Sequence, residues 1–473
     1  MRARFWTALW FGKIISSVMK FLGRKGTTLP GAIALKICPF MIKSLASLFA
    51  EGAIIITGTN GKTTTNNLLA AILQTAGKKI AFNREGANML TGITGALLQN
   101  TTFTGKPLAS ILLLEVDEAT LPALCKQLTP RIAVITNFFR DQLDRYGELD
   151  TTIKLVRQSL PPETELILNA DDPLVAQIGA GRSRVYYYGA DSIPSSRKKS
   201  TETREGRFCT QCGEELAYSL FHYGQLGIYH CLNCGFKRPD PYIEAKAVYQ
   251  ASGGITFEID KQPFRLNLQG SYNLYNALAA FSAAERMQIS RDSIRQGLQQ
   301  YIPDAGRMEP FTLPGGKATL TLVKNPTGFN QVIRTITEDP RELRLLIAIN
   351  DLAADGRDIS WLWDVDFEIL AERKADIRKI ICAGLRAEDM ALRLKYAGFL
   401  EKELTLEPSL EKAVLLLEQD SAKYELTDDR PTDDQVKENN PMYILPTYTA
   451  LFPMRDILVR RKTDLKRNKA ESI

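Results

Sequence analysis

The segment Gly58-Thr59-Asn60-Gly61-Lys62-Thr63-Thr64-Thr65 follows an apolar run, Ala53-Ile54-Ile55-Ile56, and precedes a longer apolar-periodic stretch. A strand, a glycine loop and a helix in this order form the setting in which backbone N–H groups surround phosphate oxygens. Lys62 adds a positive charge there, and the Thr63 hydroxyl can bind Mg²⁺. Ile56 stands where the general phosphate-loop pattern has its first glycine. The sequence predicts a nucleotide-phosphate site; the alternative is a glycine-rich turn that merely begins a helix.

The composition is that of a globular, multidomain protein. The chain has 473 residues, of which 44% are hydrophobic and 24% charged, and this length suits about three domains. A net charge of +6 is mild, and the sequence has no basic stripe with interleaved aromatic residues, so we expect no nucleic-acid partner. Seven cysteines are too few for a disulfide scaffold of this length, which favours a reducing, cytoplasmic compartment.

The N-terminal segment, residues 1–45, is apolar and basic. Lys13 and Lys20 interrupt its apolar run, which is therefore too short to cross a bilayer. The scattered charges and the lack of a small-residue cleavage site argue against a signal peptide. We predict a basic amphipathic helix, and after Pro30-Gly31 a helical stretch that runs to about Ala50. The first helix either contacts a membrane surface or a partner, or packs on the protein's own core.

Three further apolar runs predict buried strands that alternate with helical segments. The side chains at their ends are Glu115 and Asp117, then Asn137, then Asn169, Asp171 and Asp172. This alternation predicts an α/β fold with a doubly wound parallel sheet, in which ligands lie at the carboxyl ends of the strands. We expect Glu115 to hold Mg²⁺, directly or in its second sphere. The alternative for strand-end acids is that they cap helices or lie in solvated loops, but their repetition at three strand ends favours a ligand site.

Two cysteine motifs predict a metal site. They are Cys209-Thr210-Gln211-Cys212-Gly213 and Cys231-Leu232-Asn233-Cys234-Gly235, and their spacing matches a Cys₄ zinc ribbon at about residues 205–238. Four thiolates would close the site, which would make it structural; disulfides or free thiols are the alternatives. The two histidines of the chain, His222 and His230, both lie between the motifs. This chain alone therefore has no histidine suited to a Ser- or Cys-type catalytic triad.

A second α/β sheet is predicted from Phe311 onward. We therefore divide the chain into the N-terminal segment, a central nucleotide-binding domain at 46–310 that contains the ribbon, and a C-terminal α/β domain at 311–473. An acid-rich loop, Asp355-Gly356-Arg357-Asp358-Ile359-Ser360-Trp361, follows the second strand of this domain. Trp361 and Trp363 either serve an interface or an active-site lid, or anchor the loop to the domain's own core.

With these motifs the chain resembles the Mur ligase superfamily and, within it, the MurT family of synthetase subunits. The loop at residues 58–64 is similar to the Mur ligase ATP loop, and Tyr272-Asn273-Leu274-Tyr275-Asn276 and Gly306-Arg307-Met308 are similar to its ATP-contacting segments. Lys324 departs from the histidine that precedes Asn-Pro in ordinary Mur ligases. The resemblance implies ATP and Mg²⁺ as ligands, with Thr63 and Glu115 at the magnesium. The ATP-binding residues that it implies are Thr59, Asn60, Gly61, Lys62, Thr63, Thr64, Asn273 and Arg307.

Three features are similar to the MurT family rather than to ordinary Mur ligases. They are the Cys₄ zinc ribbon, Gln142 in place of a metal-associated histidine, and the acid-rich loop. In the MurT family an aspartate of this loop completes a catalytic triad whose cysteine and histidine belong to a glutaminase partner, GatD. The resemblance assigns this role to Asp358, with Asp355 as the alternative, and implies that the C-terminal domain contacts the partner in a heterodimer.

The activity that the resemblance implies is a peptidoglycan-forming ligase reaction at the inner face of the plasma membrane. ATP would activate the α-carboxylate of D-glutamate in the lipid II stem peptide as an acyl phosphate, and ammonia from the glutaminase would convert it to D-isoglutamine. One alternative is a stand-alone Mur-type ligase that adds an amino acid to a UDP-linked precursor. Another is a nucleotide-binding interaction module without chemistry.

Overall fold

The computed structural model describes residues 2–22, 28–83, 87–140, 149–200, 204–251, 253–303, 305–419 and 440–471, with side chains described up to residue 462. The chain forms two compact units, and Tyr301 is the last residue of the first. Among the described residues, no helix is both long enough and apolar enough to cross a bilayer.

The first unit is built on a nine-stranded sheet and a small two-stranded one. Its strands are β1 (Ala53–Thr57), β2 (Ile80–Phe82), β3 (Ile111–Glu115), β4 (Ile132–Ile135), β5 (Glu165–Asn169), β6 (Val185–Ala190), β7 (Ala217–Tyr223), β8 (Leu226–His230), β9 (Ile243–Ala251), β10 (Gly254–Ile259) and β11 (Gln262–Leu266). Its helices are α1 (Arg2–Phe21), α2 (Leu29–Ile37), α3 (Met41–Ala46), α4 (Lys62–Thr75), α5 (Leu90–Gln99), α6 (Leu121–Cys125), α7 (Leu149–Ser159), α8 (Pro173–Ala176), α9 (Ser271–Arg286) and α10 (Arg291–Gln300).

The described strands of the large sheet follow the order β11-β10-β9-β6-β5-β4-β1-β3-β2. Every pair from β2 to β9 is parallel, and β10 and β11 extend the sheet as an antiparallel hairpin. This confirms the predicted parallel α/β fold. Strand β1 lies between β3 and β4, which the chain reaches on opposite sides, so β1 ends at the point where the strand order reverses. Ligands of such sheets bind at this point, and the phosphate loop begins there.

The N-terminal segment packs on the first unit through one face. Helix α1 buries Ala8, Leu9, Gly12 and Ser16 against the core that α2 and α5 share. Helices α2 and α5 lie so close that a Cβ on Gly31 would be 1.9 Å from the carbonyl oxygen of Thr91. The helical stretch predicted up to about Ala50 consists of two helices, α2 and α3. The chain breaks it at Cys38, which is extended (φ −134°, ψ 93°) because a residue before proline avoids the helical conformation.

The second unit is a separate α/β sheet. Its strands are β12 (Glu309–Leu313), β13 (Gly316–Leu320), β14 (Leu343–Ala348), β15 (Ile377–Ala383), β16 (Leu404–Leu406) and β17 (Met442–Pro446), and its helices are α11 (Pro326–Thr337), α12 (Glu368–Glu372), α13 (Ala387–Tyr396), α14 (Leu410–Glu418) and α15 (Tyr448–Glu471). The described strands lie in the order β12-β13-β17-β14-β15-β16. In β14, Leu345 and Ile347 join one core while Leu346 and Ala348 join the other, as the two-residue period of a doubly covered strand requires.

Candidate functional site

The phosphate loop joins β1 to α4 and depends on glycine at its tightest point. Gly61, the residue before α4, has φ +84°, a conformation that side-chain-bearing residues rarely adopt. A Cβ added there would lie 2.1 Å from Oδ1 of Asn276 in α9. Glycine therefore allows the loop to turn and α9 to approach it, and the first N–H groups of α4 remain directed out of the helix.

The end of β4 holds the loop in shape. The backbone N–H of Asn60 donates to Oδ1 of Asn137 at 2.9 Å, and the Asn137 side-chain amide donates back to the carbonyl of Asn60 at 3.0 Å. The hydroxyl of Thr136 also donates to that carbonyl, at 2.7 Å. Asn137, predicted only as a strand-end amide, thus fixes the backbone of Asn60, a residue predicted to bind phosphate.

Lys62, the cation of the loop, is buried and paired. Its ammonium group donates to Oε1 of Glu118 at 2.9 Å and also to the carbonyl oxygen of Gly58. Burial alone would lower the pKa of Lys62, but the negative charge of Glu118, with Glu115 and Asp117 nearby, outweighs this effect and raises the pKa. Lys62 is therefore a stable cation at the start of α4, as phosphate binding requires.

Glu115 lies beside the start of the loop. It ends β3 in register with Ile56 of β1, and its backbone is held by Asn83, whose side chain both accepts from its N–H and donates to its carbonyl at 2.8 Å. Its buried carboxylate accepts from the amide of Asn88 at 3.3 Å. Thr63, in the first turn of α4, is half-buried. These two residues offer the oxygen ligands that Mg²⁺ prefers.

Helix α9 contributes to the loop from the other side. Asn273 and Asn276 are both buried, and the Asn276 amide donates to Oδ1 of Asn273 at 3.0 Å. The hydroxyl of Thr65 donates to Oδ1 of Asn276 at 3.4 Å. The structure thus brings the segment around Asn273 next to the phosphate loop.

The sequence favours a ligand site at the acids that follow β5, but the structure shows both of them bonded to groups of the protein. Asp171 accepts from Nε of Arg238 at 2.6 Å and from the hydroxyl of Tyr275 at 2.7 Å. Asp172 caps α8 by accepting from the N–H of Leu174 at 2.9 Å. Burial raises the pKa of Asp172 to about 7, against the opposing hydrogen bonds from the N–H groups of Phe138 and Leu174. Both carboxylates satisfy groups of the protein itself, so their role is structural.

The four cysteines of the two motifs converge. Their sulfur atoms all lie within 4.8 Å of one another, and the Cys209–Cys234 and Cys212–Cys231 pairs are 3.5 Å apart. A disulfide would need about 2.05 Å, whereas a tetrahedral site with Zn–S bonds of about 2.3 Å needs sulfurs about 3.8 Å apart. The arrangement fits a closed, four-sulfur metal site.

The acid-rich loop of the second unit places its two aspartates differently. Asp355 is buried and accepts from the N–H of Leu352 and from both the N–H and the hydroxyl of Thr449 at the start of α15. Asp358 is exposed. It accepts from the N–H and the hydroxyl of Ser360 at 2.8 and 2.9 Å, and these hydrogen bonds lower its pKa. Asp355 therefore anchors the loop, and Asp358 presents a carboxylate to solvent.

The two tryptophans after this loop divide between the two predicted roles. Trp361 packs against the core of the second unit, with its ring centroid 6.4 Å from that of Phe329. Trp363 is 52% exposed and contacts Tyr396 edge-on at 5.4 Å, with the guanidinium of Arg393 5.6 Å from its ring. One tryptophan anchors the loop, while the other forms an exposed aromatic surface.

The remaining predicted residues are less informative. Arg307 is half-buried in the turn before β12. Lys324 precedes Asn325, whose Oδ1 caps α11 by accepting from the N–H of Gly328 at 2.9 Å. Gln142 lies outside the described residues.

Sequence reasoning missed three residues of the site: Glu118, Asn276 and Gln225. Asn276 lies in a segment that resembles the ATP-contacting ones, and Glu118 directly follows Asp117, but only the structure shows that these two side chains reach the loop. A signal for Asn276 existed, since it lies three residues after Asn273 and hence on the same face of a helix. No sequence signal pointed to Gln225, which is buried in the turn of the β7–β8 hairpin.

Comparisons with known proteins cover nearly the whole chain. Residues 56–234 match the family Mur ligase middle domain, and residues 322–451 match the family MurT ligase C-terminal. The lipid II isoglutaminyl synthase (glutamine-hydrolyzing) subunit MurT of Staphylococcus aureus is 35% identical over 97% of this chain and 98% of its own. The subunit of the same name from Streptococcus pneumoniae is 35% identical over 95% of this chain and 96% of its own.

Solved structures agree on the fold. A pseudomurein peptide ligase type C from Methanothermus fervidus is 26% identical, covers 86% of this chain and 78% of its own, and superposes with a TM-score of 0.61. A MurF ligase from Thermotoga maritima in complex with ADP is 12% identical, covers 91% of this chain and 84% of its own, and has a TM-score of 0.62. The second likeness concerns the fold alone.

Proposed function

We propose, since the chain belongs to the MurT family of Mur ligases, that it is the ATP-dependent synthetase subunit of a lipid II isoglutaminyl synthase. The observation that carries this proposal is the relationship over nearly the full length of both chains to two such subunits. It covers the phosphate loop, the Cys₄ cluster and the acid-rich loop together. An ordinary Mur-type amino-acid ligase is less well supported, because the family that matches the C-terminal residues is the MurT one.

The reaction amidates the α-carboxylate of the D-glutamate in the lipid II stem peptide. An oxygen of that carboxylate attacks the γ-phosphorus of ATP, the bond to the β–γ bridging oxygen breaks, and ADP leaves. Ammonia then attacks the carbonyl carbon of the acyl phosphate, inorganic phosphate leaves, and the nitrogen loses a proton. ATP makes this step feasible because a free carboxylate is a poor electrophile. The product is D-isoglutamine.

The phosphate loop performs the activation step. The ammonium group of Lys62 leaves Glu118 and binds the β- and γ-phosphates. There it offsets the negative charge that develops during phosphoryl transfer. Thr59, Asn60, Gly61 and Thr64 surround the phosphates, and Asn273 and Arg307 bind the nucleotide from outside the loop. A bound Mg²⁺, held by Thr63 and Glu115, would neutralise the same phosphates.

A GatD-type glutaminase is the partner that we propose. Ammonia must arrive unprotonated and shielded from water, because ammonium has no lone pair with which to attack. Asp358 suits the role of completing the partner's triad, since an exposed carboxylate with a lowered pKa stays charged and can meet a histidine of another chain. Asp355 suits it less well, because its oxygens are engaged by Leu352 and Thr449. Asp358 is therefore our choice of the two.

Zinc is the metal that we propose for the Cys₄ cluster. Four thiolates at tetrahedral spacing leave no open position for substrate, so the ion would stabilise the fold without taking part in catalysis. The protein would then work in the reducing cytoplasm, where such thiolates are maintained.

The exposed face of α1 supports contact with the inner face of the plasma membrane. Phe11, Ile14, Val18 and Phe21 follow one another at intervals of three or four residues, and Trp10 precedes Phe11; each of the five is about half or more exposed. Lys13, Lys20, Arg2 and Arg4 lie on the same helix. Apolar side chains flanked by basic ones suit a bilayer with anionic headgroups. A substrate anchored in that bilayer gives such contact a purpose.

The proposal is tested by producing the chain with a glutaminase-like partner, purifying the pair and supplying ATP, glutamine and lipid II. We expect ADP to form only when lipid II is present, and the stem peptide to exchange one hydroxyl for an amino group. Amino-acid addition by the chain alone would identify a stand-alone ligase. ATP hydrolysis without any change of the stem peptide, or no ATP hydrolysis at all, would favour the nucleotide-binding interaction module.

A further inference from the structure

The β7–β8 hairpin of the Cys₄ ribbon extends from the cysteine cluster to residues 137–139, which contact the phosphate loop. At one end, Cys209 and Cys231 are buried in a small core with Leu216 and Tyr229. At the other end, the hairpin turn carries Gln225, whose side chain is 1% exposed. The hairpin thus has the Cys₄ cluster at one end and a buried amide at the other.

The amide of Gln225 is bonded to the segment that follows β4. Its Nε2 donates to the carbonyl oxygen of Phe138 at 2.6 Å and lies 3.4 Å from Oδ2 of Asp172. The same Oδ2 accepts from the N–H of Phe138 at 3.1 Å. Phe138 is therefore held on both its N–H and its carbonyl by one closed set of hydrogen bonds that includes the ribbon.

The next residue, Phe139, is bonded to the phosphate loop. The Thr59 hydroxyl accepts from the N–H of Phe139 and donates to its carbonyl, both at 3.1 Å. The N–H of Thr59 donates to the carbonyl of Asn137 at 2.9 Å. The ring of Tyr223, at the end of β7, is stacked on Phe139 at 6.4 Å. Residues 137–139 thus lie between the hairpin and the loop and contact both.

We propose that the metal-binding ribbon positions the ATP phosphate loop, with Gln225 as the positioning residue. The proposal rests on the proposed function only in that the loop binds ATP. The hairpin is bonded to the end of β5 by the N–H of Gly227, which donates to the carbonyl of Asp171, and by the hydroxyl of Tyr229, which donates to that of Ala170. Since a two-stranded hairpin is barely stable by itself, metal binding at its far end would add a further restraint on the position of Gln225. Metal binding would then increase the affinity for ATP, although no cysteine is part of the phosphate loop. The effect would pass along the contacts that join Gln225, Phe138, Phe139 and Thr59.

The test measures ATP binding to the full-length chain, without lipid II or a partner, so that its outcome is independent of the amidation assay. Gln225→Met keeps the shape of the side chain but removes the donor. We expect the dissociation constant for ATP to rise about tenfold, the size of effect that the loss of one buried hydrogen bond produces, with zinc content unchanged. Ser219→Ala is the matched control, because its exposed hydroxyl donates to the carbonyl of Ile228 within the hairpin, and we expect no change in ATP affinity there.

Zinc removal supplies the second arm. Chelation should weaken ATP binding by the wild-type chain to a similar extent, and should add little in Gln225→Met, because both changes interrupt the same path. If chelation unfolds the chain, hydrogen exchange of the zinc-loaded variant decides instead: the N–H groups of Thr59 and Asn60 should exchange faster than in the wild type. A folded, zinc-loaded Gln225→Met chain with wild-type ATP affinity and wild-type exchange would overturn the proposal.

Discussion

The ammonium group of Lys62 lies 2.9 Å from a carboxylate oxygen of Glu118, and both side chains are buried. If Lys62 binds the phosphates of a nucleotide, as we propose, Glu118 competes with them for its ammonium group. The pair also keeps Lys62 charged, since Glu118 raises its pKa. Competition by Glu118 weakens ATP binding at neutral pH, whereas the raised pKa of Lys62 favours ATP binding at alkaline pH. Measurements at different pH values can therefore separate the two effects.

We expect Glu118→Gln to bind ATP about tenfold more tightly at neutral pH, because a charge-assisted hydrogen bond no longer has to be broken. The advantage should shrink as pH rises, since Lys62 without Glu118 loses its proton at a lower pH. Calorimetric titration between neutral and alkaline pH measures both. Glu51→Gln is the control, as it removes a similar pair with Lys78 at 2.8 Å that is about one-third exposed. Weaker binding at neutral pH would mean that Glu118 itself contacts the nucleotide or its metal.

Asp358→Asn should abolish amidation with glutamine while sparing amidation with ammonium. The exposed position of Asp358 means that thermal stability should not change. The assay compares the two nitrogen donors in the assembled pair. Equal loss with both donors would place Asp358 in the synthetase site.

Asp355→Ala is the structural counterpart. It leaves the N–H groups of Leu352 and Thr449 without their acceptor, and we expect it to lower the free energy of unfolding by about 2 kcal/mol. Denaturant titration measures this change. Amidation with glutamine and amidation with ammonium should then fall by the same factor. Selective loss of glutamine-dependent amidation in a stable Asp355→Ala chain would instead assign the triad role to Asp355.

The Cys209→Ser, Cys212→Ser double variant should lose zinc and give a lower yield of folded protein, because metal binding contributes directly to folding. Metal analysis of the purified chain checks the zinc, and Cys125→Ser provides the control. Cys125 lies outside the cluster, and burial raises its thiol pKa to about 11, so its removal should leave zinc content unchanged. A folded, zinc-free double variant with full activity would remove the structural role.

Vesicle binding tests the exposed face of α1. The Phe11→Ser, Ile14→Ser variant should sediment less with phosphatidylglycerol vesicles than the wild type does, because it loses apolar area at the bilayer surface. Phosphatidylcholine vesicles should bind both chains weakly, since they offer no negative charge. Tyr249→Ser, which changes an exposed ring on β9, should bind like the wild type. No difference between the variants would exclude this face as the contact.

Much of the fold could be predicted because local patterns specify it. The run before Gly58 is buried on all its residues, and alternation of such runs with helical segments is enough to predict a parallel sheet. The break at Cys38 was also readable, since Pro39 follows it, but the apolar pattern on both sides concealed it. Strand β6 was missed because its three consecutive tyrosines, Tyr186 to Tyr188, are neither a purely apolar run nor an alternating one.

The site was less predictable because its roles depend on neighbours distant in sequence. Asp355 and Asp358 belong to the same short motif, yet Thr449 engages one and leaves the other exposed. Asp171 and Asp172 resemble ligand-binding acids at a strand end until Arg238 and the N–H of Leu174 are seen to occupy them. Residue types and spacing show where charge is concentrated; only packing shows which charges are already satisfied.

The close contact of α2 with α5 at Gly31 limits how the chain could meet a membrane. Since no methyl group fits between these helices, α2 and α5 form a closely packed support for α1 within the first unit. A bilayer that held α1 would therefore hold the phosphate loop at a constant height above its surface. The substrate would then have to be long enough for its carboxylate to reach the loop from the bilayer. The enzyme would therefore select substrates by the length of headgroup and peptide between the lipid anchor and the reacting carboxylate.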